Sequence, residues 1–301
     1  MHADSHQLAA LLAVVDEGSF EAAADELRVT PSAVSQRIKA LERRVGQVVV
    51  QRTRPCRPTS TGEVLVRMAR QLALLEAEAG AALTAQSTAT TIAIALNADS
   101  LATWARDVLV EAAEAGDIGL ELHVEDQDHS LELLRAGRVL AALTADPVAV
   151  QGCSVTELLP MRYVPVATRW LWERHERDLS RMPVVRFNDK DDLQGGVLRE
   201  LGVTATGLVH TVPSTEDFAM AVRCGLGWGA LPVAQLGRRD DLVEVAPGHD
   251  VLVPLYWQRW RIDSAVLDRV TEWVVSASRT PTPTPAPPRS CGVDPVRRTP
   301  A

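Results

Sequence analysis

The stretch TPSAVSQRIKALERRVG, residues 30–46, decides how the first part of the chain folds. Pro31 suits the first position of a helix, and Gly46 suits the position just beyond its end. The apolar residues follow at steps of four, three and four, which places them along one helical face: Val34, Ile38, Leu41 and Val45. The other face is polar: Ser32, Ser35, Gln36, Lys39 and Arg43. Taken alone, that face either reads DNA or is merely solvated.

Two further helices are predicted directly before this stretch. SHQLAALLAVVDEG (5–18) has Ser5 or Asp4 as a possible N-cap and stops at Gly18, and SFEAAADELR (19–28) has Ser19 as its N-cap. A turn over residues 28–30 then leads into the third helix. Two short helices joined so tightly are typical of a helix-turn-helix, whose second helix enters the major groove of DNA.

Positive charge is concentrated around this motif. Residues 28–57 hold eight basic residues and one acid, although the whole chain of 301 residues has a formal net charge of -8. After Gly46, QVVVQRTRPCRPTS (47–60) alternates like a short strand pair with Pro55 and Pro58 at its bend, which predicts a basic wing. A basic face on an acidic protein indicates a phosphate-binding module joined to another domain.

The next segment, STGEVLVRMARQLALLEAEAGAAL (60–83), predicts one long helix. Its apolar face needs a partner: Val64, Met68, Leu72, Leu75, Ala79 and Leu83. We expect two copies of the chain to pair through this helix.

From about residue 90 the pattern changes to short buried strands separated by helices. TTIAIALN, GLELHVED and RVLAALTAD indicate a first α/β lobe, and PVVRFN, LVHTV and GWGALP indicate a second. Strands that alternate with helices predict βαβ units on a parallel sheet. Two such lobes with a crossover between them enclose a cleft, the usual place for a small ligand.

Several classes of function lack support. There is no GxSxG, P-loop or GxGxxG motif, and His123, His129 and His210 have no ligand spacing, so we expect no catalytic residue, metal or cofactor. The four cysteines form no CxxC pair, which favours reduced thiols in a cytoplasmic protein. The apolar run over residues 8–15 is too short to cross a bilayer, and we expect no membrane partner.

The residues of the first domain carry a resemblance to a known family. SFEAAADELRVTPSAVSQRIKALERRVG followed by PTSTGE resembles the DNA-binding signature of LysR-type transcriptional regulators, and the likeness extends to about Ser276. ALNADSLATW, LTADPVAVQGC, LLPMRYVPVA and FNDKDDLQ resemble the ArgP/LysG subgroup, which senses basic amino acids and controls their export. QVVVQR departs from the aromatic or leucine residue that the family usually has in the wing.

The resemblance implies an α+β multidomain architecture. A winged helix-turn-helix (1–60) precedes a long linker helix for dimerisation (61–87) and a two-lobed α/β effector domain like the periplasmic binding proteins (90–278). Lobe I is expected at about 90–161 plus 263–278, and lobe II at about 162–262. Residues 279–301 contain seven prolines in 23 residues and are expected to form a disordered tail.

The resemblance also implies partners and contact residues. The chain is expected to bind double-stranded promoter DNA as a homodimer or homotetramer and to work with RNA polymerase. Positions matching the DNA contacts are Pro31, Ser32, Ser35 and Gln36 at the bases, Lys39 further along the helix, and Arg52, Arg54 and Arg57 in the wing. The expected effector is lysine or arginine, and the expected target gene a basic amino acid exporter. The alternative is an architectural DNA-binding protein without effector, such as an inhibitor of replication initiation.

A basic amino acid carries two cationic groups and one anion, so its site needs an excess of carboxylates. We expect at least one of four acids near the facing ends of the lobes to bind the side-chain cation: Asp99, Asp146, Glu216 or Asp217. A strand that ends at Asn97, itself a candidate, gives way to a helix near Ser100, where backbone N–H groups and the Ser100 hydroxyl suit the α-carboxylate. The alternative is that Asp99 or Ser100 is only a helix N-cap. Thr103 and Thr144 are secondary candidates.

Overall fold

The computed structural model describes residues 4–84, 89–125, 127–237 and 242–279. The predicted tail therefore lies outside the described residues from 280 onward. The chain begins with three helices: α1 (Ser5–Asp16), α2 (Phe20–Glu26) and α3 (Pro31–Val45). A side-chain cap opens each one, from Asp4, Ser19 and Thr30 respectively, and Gly46 ends α3 in the left-handed conformation. The helix-turn-helix is therefore confirmed, with Asp4 as the first N-cap.

The apolar stripe of α3 forms the core of this first domain. Val34, Ile38 and Leu41 are fully buried against α1 and α2, whereas Val45 is only partly buried. Fully burying one such side chain contributes roughly 1.5–3 kcal/mol to folding. This packing turns the polar face of α3 away from the protein.

The wing is a two-stranded antiparallel ribbon of β1 (Val50–Gln51) and β2 (Arg57–Pro58). Pro58 pairs with Val50 inside the ribbon, so its predicted place at the bend was wrong; an edge strand tolerates proline. The backbone N–H of Cys56 donates to Gly18 O at 2.7 Å, and that of Val49 donates to Glu42 Oε1 at 3.1 Å. These bonds fix the wing to both the α1–α2 turn and the end of α3.

Helix α4 (Ser60–Thr84) follows the wing directly. A Cβ atom on Gly62 would lie 2.0 Å from Val49 O, so glycine allows the helix to begin in contact with the wing. One side of α4 joins the core of the first domain through Leu65, Val66 and Ala69, and Leu74 joins the core of lobe I. Four apolar side chains of α4 remain exposed: Val64, Met68, Leu75 and Leu83. Pairing of two copies through α4 stays a prediction.

Lobe I begins with three parallel strands. Strand β3 (Thr90–Leu96) pairs with β4 (Ile118–Val124) on one side and β5 (Ala141–Thr144) on the other. The connections contain α5 (Ala98–Ala102), α6 (Arg106–Ala115) and α7 (Gln127–Arg135). Two separate helices, α5 and α6, thus connect β3 to β4.

Two long strands join the lobes. Strand β6 (Cys153–Thr168) runs antiparallel to β11 (Val251–Trp260), and β11 also pairs antiparallel with β5. The sheet order is β10-β6-β11-β5-β3-β4, with β9 (Gly229–Pro232) also on β6 and with β10 at Leu242–Glu244. This sheet is therefore mixed: within it only β3, β4 and β5 pair in parallel, so the expectation of a parallel sheet holds only for that part of it. The expected lobe boundary at residue 162 falls inside β6.

Lobe II is built around a short parallel pair, β7 (Val184–Arg186) and β8 (Val209–Thr211). Its helices are α8 (Arg169–Arg174), α9 (Leu193–Glu200) and α10 (Thr215–Arg223), with 3-10 turns at Leu179–Arg181 and Val233–Gln235. The chain then returns to lobe I, where α11 (Ala265–Arg279) buries Leu267, Val270 and Val274. Within the described ranges, no helix is long and apolar enough to cross a membrane.

Candidate nucleic-acid interface and ligand cleft

The polar face of α3 is presented to solvent as one continuous surface. Pro31, Ser32, Gln36 and Lys39 are exposed, and Ser35 is half-buried between them. Hydroxyl and amide groups occupy the N-terminal half, where side chains are short enough to reach base edges. Cations follow toward the C-terminal end, with Arg43 and Arg44 in the last turn. The arrangement suits a helix that inserts its first half into the major groove.

The wing extends this surface with three arginines. Arg52, Arg54 and Arg57 are all exposed, and the guanidinium of Arg52 lies 4.9 Å from the centroid of the Phe20 ring. That cation–π contact orients Arg52 from the start of α2 without neutralising its charge. The wing arginines therefore lie exposed next to α3, where guanidinium groups can contact DNA phosphates.

A groove of about 890 Å³ opens beside α3, between that helix and the start of α1. Its lining includes His6 and Gln7 of α1 and Gln36, Lys39 and Arg43 of α3. It is part of the basic face rather than a small-molecule pocket, because it is an open surface with cations along one wall.

The cleft between the lobes contains a half-buried acid, Asp99, in the first turn of α5. The Tyr163 hydroxyl, on the crossing strand β6, donates to Asp99 Oδ2 at 2.8 Å. Thr215, the first residue of α10 in lobe II, lies close to the same carboxylate, but its buried hydroxyl makes no hydrogen bond of normal geometry there. Asp99 therefore lies where lobe I, the crossing strand and lobe II meet.

Burial raises the pKa of the Asp99 carboxyl, and this outweighs the opposing effects of Tyr163 and Thr215. The charge of Asp191, in lobe II, raises it further. Burial likewise raises the pKa of the Tyr163 hydroxyl, and the neighbouring Asp99 adds to the rise, so Tyr163 stays a neutral donor. An acid that is desolvated and faces a second acid is stabilised by a cation, so the local electrostatics favour a cationic ligand.

Two buried polar side chains, one in α5 and one in α9, have no hydrogen-bond partner within the described structure. The hydroxyl of Ser100 is fully buried next to Asp99, and the amide of Gln194, in the first turn of α9, is fully buried with both its oxygen and its nitrogen unpaired. Leaving a buried polar group unpaired costs roughly 1–3 kcal/mol. These groups are the kind that a polar ligand satisfies.

Asn97 and Thr103 serve the local structure of α5. Asn97 Oδ1 accepts the Ser100 N–H at 2.7 Å and caps the helix, and the Thr103 hydroxyl donates to Asp99 O at 2.6 Å. Thr144 and Asp146 form a turn after β5: Thr144 Oγ1 accepts the Asp146 N–H, and Asp146 Oδ1 accepts the Val148 N–H at 2.8 Å. In this turn Asp146 accepts through Oδ1.

Glu216 and Asp217 lie in the first turn of α10, and both are exposed. Glu216 Oε1 accepts a hydrogen bond from Arg106 Nη2 at 3.0 Å, which makes an ion pair between α6 of lobe I and α10 of lobe II. The structure therefore places Glu216 at the rim of the cleft with a protein cation as its partner. Exposed pairs of this kind contribute little, about 0–1 kcal/mol.

Sequence reasoning missed three residues around Asp99: Tyr163, Thr215 and Asp191. Tyr163 is one of only two tyrosines in the chain. Asp191 accepts the Phe187 N–H at 2.8 Å, so its own loop holds it in place. Among the described residues, no group of His, Cys, Asp and Glu is arranged to hold a metal ion. Cys56, Cys153 and Cys224 are free thiols.

Two family descriptions match the chain. Residues 5–63 match the bacterial regulatory helix-turn-helix protein, lysR family, and residues 85–279 match the LysR substrate binding domain. The lysine export transcriptional regulatory protein LysG of Corynebacterium efficiens is 49% identical over 279 residues, covering 89% of this chain and 96% of that protein.

Two solved structures are similar to this chain over nearly its whole length. Full-length LysG from Corynebacterium glutamicum with bound effector Arg is 44% identical, with a TM-score of 0.79 and coverage of 91% of this chain and 98% of that one. ArgP from Mycobacterium tuberculosis is 45% identical, with a TM-score of 0.84 and coverage of 92% and 98%. The similarity extends through both domains and the helix between them.

The raised pKa of Asp99 predicts how pH affects stability. The folded state takes up a proton on Asp99 at higher pH than the unfolded state does, so the ionised carboxylate is a penalty at neutral pH that disappears as pH falls through the folded pKa. Asp99→Asn is therefore expected to melt no lower than wild type at neutral pH, with an advantage that shrinks in acid. Calorimetric melting over a series from neutral to acid pH checks this. A lower melting temperature for Asp99→Asn at every pH would show instead that the carboxylate anchors the fold.

Proposed function

Because the chain belongs to the LysR family of bacterial transcriptional regulators, we propose that it senses a basic amino acid, lysine or arginine, and controls transcription of a basic amino acid exporter. Family membership makes it a DNA-binding regulator and not an enzyme. The observation that carries the proposal is the desolvated acid Asp99 at the contact between the lobes. The similar LysG that holds arginine, and the relative named for lysine export, support the same choice.

The chemistry of the cleft fits a ligand with a cation at one end. A carboxylate has about four acceptor sites, so Asp99 can accept a bond from a ligand cation while it keeps the one from Tyr163. A bound cation removes the electrostatic penalty that desolvation and Asp191 impose on Asp99. The free Ser100 hydroxyl and the unpaired Gln194 amide offer donors to the α-carboxylate.

The other proposed effector contacts are weaker candidates than Asp99, because most of them already have partners in the protein. Asn97, Thr103, Thr144 and Asp146 line the ends of lobe I elements, where they already hold turns and caps. Asp217 and Glu216 lie on lobe II, and Glu216 must give up Arg106 before it can serve a ligand. We therefore assign the side-chain cation to Asp99 first.

We assign DNA contact to the polar face of α3 and to the wing. Ser32, Ser35 and Gln36, with Pro31, are proposed to meet the bases, and Lys39 and the wing arginines Arg52, Arg54 and Arg57 the phosphates or minor groove. We propose that the chain binds promoter DNA through this face in the cytoplasm and that it acts there on RNA polymerase.

Assembly as a homodimer or homotetramer is also proposed, because α4 exposes Val64, Met68, Leu75 and Leu83. A helix with so much apolar surface in water needs a partner, and a second α4 offers the same spacing. Two such DNA-binding domains suit a site with two-fold symmetry.

Titration calorimetry with lysine, arginine and the neutral amino acid leucine tests the effector. Wild type is expected to bind lysine or arginine with saturable heat and to ignore leucine. Asp99→Asn is expected to lose at least about tenfold in affinity, because removing one partner of a desolvated charge pair costs roughly 2–5 kcal/mol. Asp107→Asn, in the first turn of α6, is the control and should bind as wild type does. Wild-type affinity in Asp99→Asn would contradict the assignment, and absence of any saturable heat in wild type would favour the architectural alternative.

Fluorescence anisotropy with DNA from upstream of its own gene tests the interface. The Ser35→Ala/Gln36→Ala variant is expected to lose about tenfold or more in specific affinity, since one base contact is worth roughly 1–3 kcal/mol, with little change on unrelated DNA. Arg54→Ala should instead weaken binding to both DNAs and lower the salt slope by about one.

The matched control for this experiment is Gln151→Ala/Ser154→Ala, which removes the same side-chain types from lobe I. It should bind DNA as wild type does. Unaltered specific affinity in Ser35→Ala/Gln36→Ala would refute the assigned reading face.

A further inference from the structure

Three parts of the chain meet at one side chain, Arg70 of α4. Its Nη2 atom is ion-paired with Asp16, the last residue of α1 in the DNA-binding domain. Its Nη1 atom donates to the backbone oxygen of Arg138 at 3.3 Å, in the turn between α7 and β5 of lobe I. One guanidinium therefore holds the DNA-binding domain with one nitrogen and the effector domain with another.

The turn over residues 135–138 is pressed against α4 around this point. Arg67, almost one helical turn before Arg70, donates from Nη1 to Arg135 O at 2.7 Å, and its guanidinium lies 5.0 Å from the centroid of the Trp260 ring. A Cβ on Gly137 would lie 2.6 Å from the Arg67 Cα, so the turn touches the helix backbone itself. A movement of this turn cannot occur without moving the contacts of Arg67 and Arg70.

A second attachment lies further along α4. Glu78 Oε1 accepts the Ser264 hydroxyl at 2.5 Å and the Val266 N–H at 3.0 Å, at the start of α11. Between the two attachments Leu74 is buried in the core of lobe I. The C-terminal half of α4 is therefore held by lobe I, and its N-terminal half by the core of the DNA-binding domain.

The turn is connected to the cleft by the shortest strand of lobe I. Strand β5 runs from Ala141 to Thr144, one of the predicted effector contacts, so the cleft end of β5 lies about 20 Å of extended chain from Arg138. At the other end, α1 packs on α3 through the shared core, in which Leu11 and Ile38 are fully buried. A continuous set of packed contacts thus leads from the cleft through Arg70 to the DNA-reading helix.

The charges around Asp16 give a second reason why this contact needs Arg70. Burial raises the pKa of Asp16, and the charge of Glu121 on β4 raises it further. The positive charges of Arg70 and Arg138 lower this pKa, and Arg70 has the larger effect of the two. Asp16 therefore faces both signs of charge on lobe I, and Arg70 is the cation that its carboxylate contacts directly. Without Arg70, the acid would be left partly desolvated beside Glu121.

We propose that Arg70 is a positioning residue that couples the state of the cleft to the orientation of the DNA-binding domain. The inference rests on the proposed function, because it takes the cleft to be the effector site. Coupling between two sites is a difference in contacts between two states, and Arg70 is placed to make different contacts when the turn 135–138 shifts. Arg70 itself need touch neither the effector nor the DNA.

The test uses the full-length chain with Arg70→Gln and, from the other side of the pair, Asp16→Asn. The matched control is Arg259→Gln, because Arg259 is 19% exposed and pairs with the 50% exposed Asp268 inside lobe I, against 18% and 41% for Arg70 and Asp16. Hydrogen–deuterium exchange without effector or DNA is expected to rise in both variants at the end of α1 and in the turn 135–138, with α3 and lobe II unchanged. The control should leave both regions as in wild type.

The second readout is the ratio of upstream-DNA affinities with and without saturating lysine. Arg70→Gln and Asp16→Asn are expected to bring a wild-type ratio of about tenfold close to one, while calorimetric affinity for lysine stays within about twofold. A merely structural role would weaken DNA binding equally in both conditions and preserve the ratio. Wild-type exchange and a wild-type ratio in both variants would overturn the proposal. A wild-type protein that ignores both lysine and arginine would refute the proposed function, and the exchange result would then still decide whether Arg70 holds the domains together.

Discussion

Helix α4 is the element on which the rest of the structure depends, because both functional halves of the chain pack on it. Leu65, Val66 and Ala69 complete the core beneath α3, and Leu74 belongs to the core of lobe I. The helix has 25 residues and is about 37 Å long, so it holds the reading face and the cleft at a set separation. Gly62 lets α4 start against the wing, and Glu78, in its C-terminal half, accepts a hydrogen bond from the start of α11.

Much of the DNA-binding domain was predictable because its signals are local. The stripe of Val34, Ile38 and Leu41, the cap Ser19, Pro31 at the start of α3 and the glycine after it all act within a few residues of where they stand. The effector domain was less predictable. The crossing strand β6 has 16 residues, but only its last six are an unbroken buried run, whereas the first part mixes buried, half-buried and exposed residues. The antiparallel pairing of β6 and β11 joins residues about a hundred positions apart, so no local sequence pattern predicts it.

The same distinction applies to the cleft. Asp99 and Ser100 were found from the change of strand to helix, which is a local feature. The neighbours that give Asp99 its chemistry come from elsewhere: Tyr163 is 64 positions away, and Thr215 lies on the other lobe. Glu216 was a candidate for the ligand cation in the sequence, but in the structure it pairs with Arg106, 110 positions away. Sequence position thus identified candidates, and only packing could rank them.

The proposed ligand cleft is joined to the proposed DNA-reading helix through α4, so binding in the cleft must be felt at the DNA. The most direct measurement is the bend of upstream DNA held by the full-length protein, followed by energy transfer between dyes at the DNA ends, with and without lysine or arginine. Family membership and the shared helix predict that saturating effector changes the transfer efficiency while the protein stays bound. The same efficiency with and without either amino acid, at concentrations that saturate the cleft by calorimetry, would contradict it.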